Sequence, residues 1–310
     1  MVTGASGYVG SVLVPRLLNE GYQVSAVDTM WFGRHIEPHD NLTIFERRVS
    51  SLSPEELNGI DSVIHLANIA NDPSVDLDPL NAWETNTLEL VNLLDLCKHA
   101  GVRRFIYASS GSVYGIKSED KVTEELKPTP ISTYNKTKMI AERIVLSYQD
   151  SMETFIVRPA TVCGLSKRMR FDVVVNLFVL QAFSSGSINV TGGSQIRPNI
   201  HIQDMVDTYV HLLGMDREFC GIYNAGFENI SVLDIAKEVS RQVCCDLQIV
   251  ESNDPRSYRQ DSSKLISTGF SPKRNVVQAI AEVYFALQNG VVKDDPRWHT
   301  VKWMKDNKIK

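Results

Sequence analysis

Tyr134 and Lys138, in the run Tyr-Asn-Lys-Thr-Lys, stand four residues apart and lie one above the other if that stretch is helical. Such a pair suits proton transfer. Free tyrosine titrates at about 10, so acid/base work near neutrality requires its anion to be stabilised by roughly 4 kcal/mol. Burial alone disfavours the anion, so a close cation is needed, and Lys138 is spaced to supply it. Taken by itself, the spacing equally describes a surface helix pair. A hydroxyl lies upstream: Tyr107-Ala-Ser-Ser-Gly-Ser-Val-Tyr-Gly115 reads as a strand running into a loop of small residues, which puts Ser110 where it can share a proton with Tyr134 and a substrate.

Gly4, Gly7 and Gly10 punctuate Thr3-Gly-Ala-Ser-Gly-Tyr-Val-Gly10 directly before a helical pattern. This spacing lets the backbone turn tightly and brings the turn, Tyr8 and Val9 included, against a pyrophosphate at a helix N-terminus. A glycine run alone is also an ordinary strand-to-helix turn. Two features select the dinucleotide reading: the run sits at the first strand–helix junction, and Asp28 ends the next strand, 18 residues past Gly10. A carboxylate there accepts hydrogen bonds from the adenosine ribose and repels a 2′-phosphate, which favours NAD over NADP. Arg34, six residues on, is the feature that would accommodate a 2′-phosphate. Only Met1 and Val2 precede the motif, so the first strand is expected to be very short or trimmed.

These groups need a scaffold. Val24 to Asp28, Ser62 to Ala67, Arg104 to Ser109 and Thr154 to Arg158 are short runs rich in Val, Ile and Phe. Between them, Tyr8 to Glu20, Leu80 to His99 and Thr133 to Tyr148 carry helical patterns. The alternation predicts an α/β fold, a doubly wound parallel sheet of the Rossmann type with helices on both faces. Strands buried on both faces read as continuously apolar, as these do. After Arg158 the rhythm loosens. Helices are expected at Phe171 to Phe183, Gln203 to Met215, Ser231 to Arg241 and Val276 to Gln288. We expect a Rossmann domain over 1–163, with strands returning from about 196–226, and a smaller C-terminal substrate-binding lobe over 164–195 and 227–310. The ligand cleft then lies at the carboxyl ends of the strands.

TGASGYVG, SSGSVYG, YNKTK and RPNIHIQD, in this order, make the chain similar to the extended short-chain dehydrogenases: sugar-nucleotide epimerases, dehydratases and reductases. The similarity of pattern runs from residue 1 to about residue 290. The resemblance implies Ser110 as the catalytic hydroxyl, Tyr134 as the base, and Lys138 as the group that orients the cofactor and, with the positive nicotinamide ring, tunes the tyrosine. His65-Leu-Ala-Asn68 resembles a segment beside the nicotinamide, which implies cofactor contacts from Leu66 and Ala67, and Asn86 matches an asparagine of the helix that follows. His65 itself reads better as a satisfied strand histidine than as a catalyst. For the sugar nucleotide it implies Ser110, Ser112, Thr161, Arg168, Arg170, Asn176, Arg197 and Arg256, with Arg197 and Arg256 on the diphosphate. His201 and Asp204 read as helix-capping and positioning residues. Gly164 to Asn176 also resembles a subgroup from bacterial surface-glycan pathways, including GDP-heptose 4-dehydrogenases.

Relatives that dehydrate sugars carry an Asp-Glu pair directly after the catalytic hydroxyl, and decarboxylases use a glutamate in that loop; here Gly111 and Ser112 stand there. Both reactions are disfavoured. The expected chemistry is NAD-dependent hydride transfer at a sugar carbinol, C4 by the resemblance, as an epimerase or a dehydrogenase. A 4-keto sugar-nucleotide reductase is the alternative. A non-catalytic NAD(P)-sensing protein is the alternative of another class, and intact Ser110, Tyr134 and Lys138 weigh against it.

With 43% apolar and 22% charged residues, the 310-residue chain has an ordinary globular composition. A net charge of −5 argues against nucleic-acid and anionic-membrane partners. Five cysteines show no C-x-x-C pair or metal spacing, so no metal is expected and the thiols read as reduced. The absence of a signal-like N-terminus and of an 18-residue apolar run leads us to expect a cytoplasmic enzyme. The resemblance implies a homodimer that pairs through the Leu80–His99 and Thr133–Tyr148 helices, whose apolar faces would equally serve to cover the sheet within one chain.

Overall fold

A computed structural model describes residues 1–251 and 257–309. The strands in chain order are β1 (Val2–Thr3), β2 (Val24–Asp28), β3 (Leu42–Glu46), β4 (Ser62–His65), β5 (Arg104–Ala108), β6 (Glu153–Pro159), β7 (Thr161–Cys163), β8 (Ser187–Thr191), β9 (Ile196–His201), β10 (Gly221–Ala225), β11 (Glu228–Ser231) and β12 (Asp246–Val250). The main helices are α1 (Gly10–Asn19), α2 (Glu89–Ala100), α3 (Thr133–Leu146), α4 (Val174–Ser185), α5 (Ile202–Leu213), α6 (Val232–Val243), α7 (Val276–Gln288) and α8 (Thr300–Asp306).

Seven strands form one sheet in the order β10-β6-β5-β4-β1-β2-β3, and every pairing in it is parallel. This is the doubly wound arrangement. The apolar runs of β4, β5 and β6 are buried on both faces, as continuous hydrophobicity demands. The strand order reverses at β1, between β2 and β4, and a crevice opens there beyond the strand ends. β1 is two residues long and still pairs on both sides, Val2 with Ala26 and with Ile64.

Three features depart from the expected element map. β3, Leu-Thr-Ile-Phe-Glu, extends the sheet past β2, although only half-buried. The stretch expected as one helix over Leu80 to His99 is broken by a π-helical turn at Glu84–Leu88 before α2 begins. Of the 196–226 segment, β10 joins the large sheet beside β6, whereas β9 pairs with β7 and β11 in a separate three-stranded sheet.

α3 shows why its sequence folds as it does. Ser132 caps it by accepting from the Asn135 N–H at 3.2 Å, and Lys138, Ala141, Glu142 and Val145 form the buried stripe. A second core gathers around α4, α6 and α7, with Val179, Val239 and Ile280 fully buried. No helix among the described residues is long and apolar enough to cross a membrane, and all five cysteines are unpaired.

Candidate active site

The ends of β1, β2, β4, β5 and β6 surround a cleft of about 650 Å³. At its floor is the glycine turn. Gly4 has φ 68°, a left-handed conformation, and a Cβ there would lie 2.7 Å from the Ala67 nitrogen. A Cβ on Gly10 would collide with the Gly4 carbonyl oxygen, so close packing of α1 against the turn needs a bare backbone. Gly7, Tyr8 and Val9 complete the wall at the start of α1, where free N–H groups and the helix dipole favour an anion.

Asp28 sits at the rim as the sequence implies. Its two oxygens accept from the Ser6 and Met30 N–H groups at 2.9 and 2.8 Å. Burial raises its pKa, and these bonds oppose the rise. Arg34 pairs instead with Glu46 at 3.1 Å on the surface, which engages the cation that would have suited a 2′-phosphate. Leu66 and Ala67 line the cleft. Asn86 does not. Fully buried, it clamps Ile69, accepting from its N–H at 2.9 Å and donating to its carbonyl at 3.1 Å, and it donates to Thr137 at 3.2 Å. It shapes the loop after β4, and the π-helical turn presents it.

Ser110, Tyr134 and Lys138 meet in this cleft. The Ser110 hydroxyl lies 2.8 Å from that of Ser112, which donates to Asn135 Oδ1 at 2.6 Å. That second bond uses the Ser112 proton, so Ser110 donates within the chain. Burial pushes the Tyr134 phenol up to about 12, while Ser110, the charge of Arg170 and the Asn71 backbone pull it down. Lys138 differs from expectation. Its ammonium donates to the Ala108 carbonyl at 2.6 Å and lies 6.0 Å from the Tyr134 ring centre, against 4.9 Å from that of Tyr107. Burial draws its pKa down to about 7, with Glu142 opposing. Arg170 is the cation whose charge lowers the Tyr134 pKa, while Lys138 faces the ring from 6.0 Å.

Behind the lysine, Glu142 continues the same helical face one turn on. It accepts from Ser109 at 2.5 Å and from Arg158 Nε and Nη2 at 2.9 and 2.7 Å. Arg158 also donates to the Tyr114 hydroxyl at 2.8 Å, which donates to Asn224. This network is buried and joins α3 to β5, β6 and β10. His65, nearby, pairs its Nδ1 with Thr3 at 2.8 Å, while its Nε2 has no partner. Burial, then the charge of Lys138, lower its pKa to about 3 and keep the ring neutral. It is therefore only half satisfied.

On the far wall Thr161, Arg168, Arg170 and Arg197 line the cleft. Arg170 forms a two-point pair with Asp172, at 3.0 and 2.9 Å. Burial raises the Asp172 carboxyl, yet Arg170 more than offsets it and leaves the pKa below its ordinary value. Asp172 also accepts from Asn71 at 3.1 Å. Asn71 is a non-glycine residue with φ 73°, held there by capping the next helical turn through Ser74. Asn176, expected at the substrate, lies elsewhere: it is fully buried, donates to the Tyr8 hydroxyl and Arg170 carbonyl, and accepts from Gly164. Arg256 falls outside the described residues. His201 caps α5, and Asp204 receives the Lys273 and Arg274 N–H groups.

Sequence reasoning passed over several cleft residues: Asn71, Asp172, Tyr258, and a patch of Trp31, Phe32, Thr300 and Met304. Asn71-Asp-Pro carried a helix-cap signal that could have drawn attention. α8 had none. It is fastened by Trp303 donating to the Trp31 carbonyl at 2.8 Å.

Fold and site together define a doubly wound protein with a glycine turn and a serine–tyrosine–lysine group in one crevice. The chain belongs to the NAD dependent epimerase/dehydratase family, which matches it over residues 1–226. It is 29% identical over 282 residues to UDP-glucuronic acid decarboxylase 1 of Danio rerio, covering 85% of this chain and 66% of that protein. The chain thus spans slightly under two thirds of that relative's length. To UDP-glucose 4-epimerase of Lactobacillus helveticus it is 24% identical, covering 92% of this chain and 95% of that one. Among solved structures, MoeE5 in complex with UDP-glucuronic acid and NAD superposes with a TM-score of 0.85 at 25% identity, covering 93% of this chain and 98% of that one.

Proposed function

We propose that this chain is an NAD-dependent enzyme that moves a hydride at the C4 carbinol of a nucleotide-diphosphate sugar, as an epimerase or a dehydrogenase. The observation that carries the reading is the meeting of Ser110, Tyr134 and Lys138 in the cleft that also holds the glycine turn and Asp28. Bound NAD supplies the hydride acceptor. Tyr134 takes the carbinol proton, Ser110 shares it by hydrogen bond, and Lys138 holds the cofactor ribose. Arg197 meets the substrate diphosphate, and Thr161 and Ser112 face the sugar.

Relatives named as decarboxylases make decarboxylation the competing reading. Gly111 and Ser112, which put no acid in this loop, speak against it and against dehydration. A Cβ on Gly111 would lie 3.0 Å from both the Tyr258 hydroxyl and Gln260 Oε1, so an acidic side chain there must displace these neighbours. Exposed Leu80, Leu88 and Ile140, on the helices expected to pair, support a homodimer. Five free thiols support a reducing, cytoplasmic setting. The second core supports a substrate lobe over 164–195 and 227–310, beside a cofactor domain over 1–163.

The test is incubation with NAD+ and a panel of UDP-, GDP- and dTDP-sugars, following reduced nicotinamide and sugar products together. Net NADH identifies a dehydrogenase, and an inverted sugar without net NADH identifies an epimerase. Release of carbon dioxide from a uronic acid substrate overturns the reading in favour of decarboxylation.

A further inference from the structure

Arg168 is a buried guanidinium with an unused donor. It reaches the cleft from the segment between β7 and α4, and 3% of its surface is exposed. Its Nη2 donates to the Thr300 hydroxyl at 3.0 Å, and its guanidinium carbon lies 4.0 Å from the Phe32 ring centre. Its Nε has no acceptor. The segment that carries it is fastened to the glycine turn. Ser166 donates to the Tyr8 carbonyl at 2.7 Å, the Ser11 and Ser166 hydroxyls lie 2.9 Å apart, and the Tyr8 hydroxyl donates to the Gly164 carbonyl at 2.7 Å. The guanidinium therefore stands between the phosphate-binding turn and the Asp28–Phe32 rim.

A buried cation is stable only when it is paired and its donors are satisfied. Here burial, then the charge of Arg170, lower the pKa of Arg168 to about 9, and Asp172 and Asp28 only partly offset them, so this site favours the approach of a further anion. Asp28 already serves the ribose side with both oxygens anchored by backbone N–H groups. A neutral hydroxyl would answer only the Nε–H, whereas a phosphate oxygen answers both the Nε–H and the charge that Asp172 and Asp28 leave partly unmet.

We propose that Arg168 is a phosphate-binding residue of the cofactor site, its Nε–H donating to the diphosphate of the bound dinucleotide and tying the 164–170 segment over the glycine turn. This rests on the dinucleotide reading above and moves Arg168 from the substrate set to the cofactor set.

Titrations of the full chain with NAD+, NADP+, ADP and adenosine, for wild type, R168Q and R168K, test it. The expected result is that R168Q weakens NAD+ and ADP by about tenfold or more, with adenosine unchanged and R168K intermediate. Wild-type affinity for ADP in R168Q overturns the assignment, as does an equal loss for adenosine or a loss confined to NADP+. If R168Q does not fold, R168K decides: undiminished ADP binding that no longer depends on salt overturns it. Failure of wild type to bind NAD+ or ADP overturns the dinucleotide reading as well, which separates the two.

Discussion

The Lys138 ammonium and the Ala108 carbonyl, 2.6 Å apart, join α3 to the end of β5. Both elements deliver groups to the cleft, since the strand leads into Ser110 and the helix carries Tyr134. The bond thus helps set the separation of the Tyr134 and Ser110 hydroxyls, and it holds a lysine whose proton is weakly bound because it is buried.

Replacing Tyr134 by Phe is expected to lower the hydride-transfer rate by about 10²–10⁴-fold while leaving NAD+ affinity within a factor of a few. Single-turnover NADH formation and a binding titration check the two halves. Full activity would remove Tyr134 as the base.

Lys138→Met is expected to abolish turnover yet raise the melting temperature at pH 7. The folded protein holds this proton more weakly than the unfolded chain, so between about pH 7 and the ordinary lysine range the unfolded state binds more protons. The stability owed to this group is lowest below that window and climbs as pH rises through it. Wild-type melting should show this climb, and K138M should flatten it; parallel curves would contradict the depressed pKa.

Glu142→Gln breaks a pair whose side chains are only 2–3% exposed. A loss of about 3–5 kcal/mol in urea unfolding is expected, because Arg158 is left buried without its counter-charge. The double variant E142L/R158M should recover part of it. A single-variant loss under 1 kcal/mol would mean that water or Tyr114 suffices as partner.

Gly111→Glu should cost about 1–3 kcal/mol by crowding Tyr258 and Gln260, and it should not create decarboxylase activity. Thermal melting and carbon dioxide release from UDP-glucuronic acid read the two effects. A stable variant that gains decarboxylation would show that the loop can open.

Arg197→Ala should weaken sugar-nucleotide binding by about tenfold and leave NAD+ binding unchanged. Isothermal titration with each ligand decides. Equal losses would assign Arg197 a structural part in β9.

Much of this molecule could be read along the chain. Periodicity placed the strands and helices because burial on two faces, or on one helical stripe, is written in consecutive residues. The glycine turn, Asp28, Ser110, Tyr134 and Lys138 were legible for a related reason: each stands at a strand end or one helical turn from its partner, where local geometry fixes direction. The tertiary structure decided what depends on distant neighbours. Asn86 and Asn176 became internal clamps because Ile69, Tyr8 and Gly164 reach them first. Arg170 joined Lys138 as a cation near Tyr134, and burial with the Ala108 carbonyl fixes where the lysine points. Arg168, Asn71, Asp172 and Tyr258 join one cleft only through contacts spanning much of the chain. Residue type fixes which chemistry is available, whereas pKa, hydrogen-bond partner and exposure depend on packing that no local window contains.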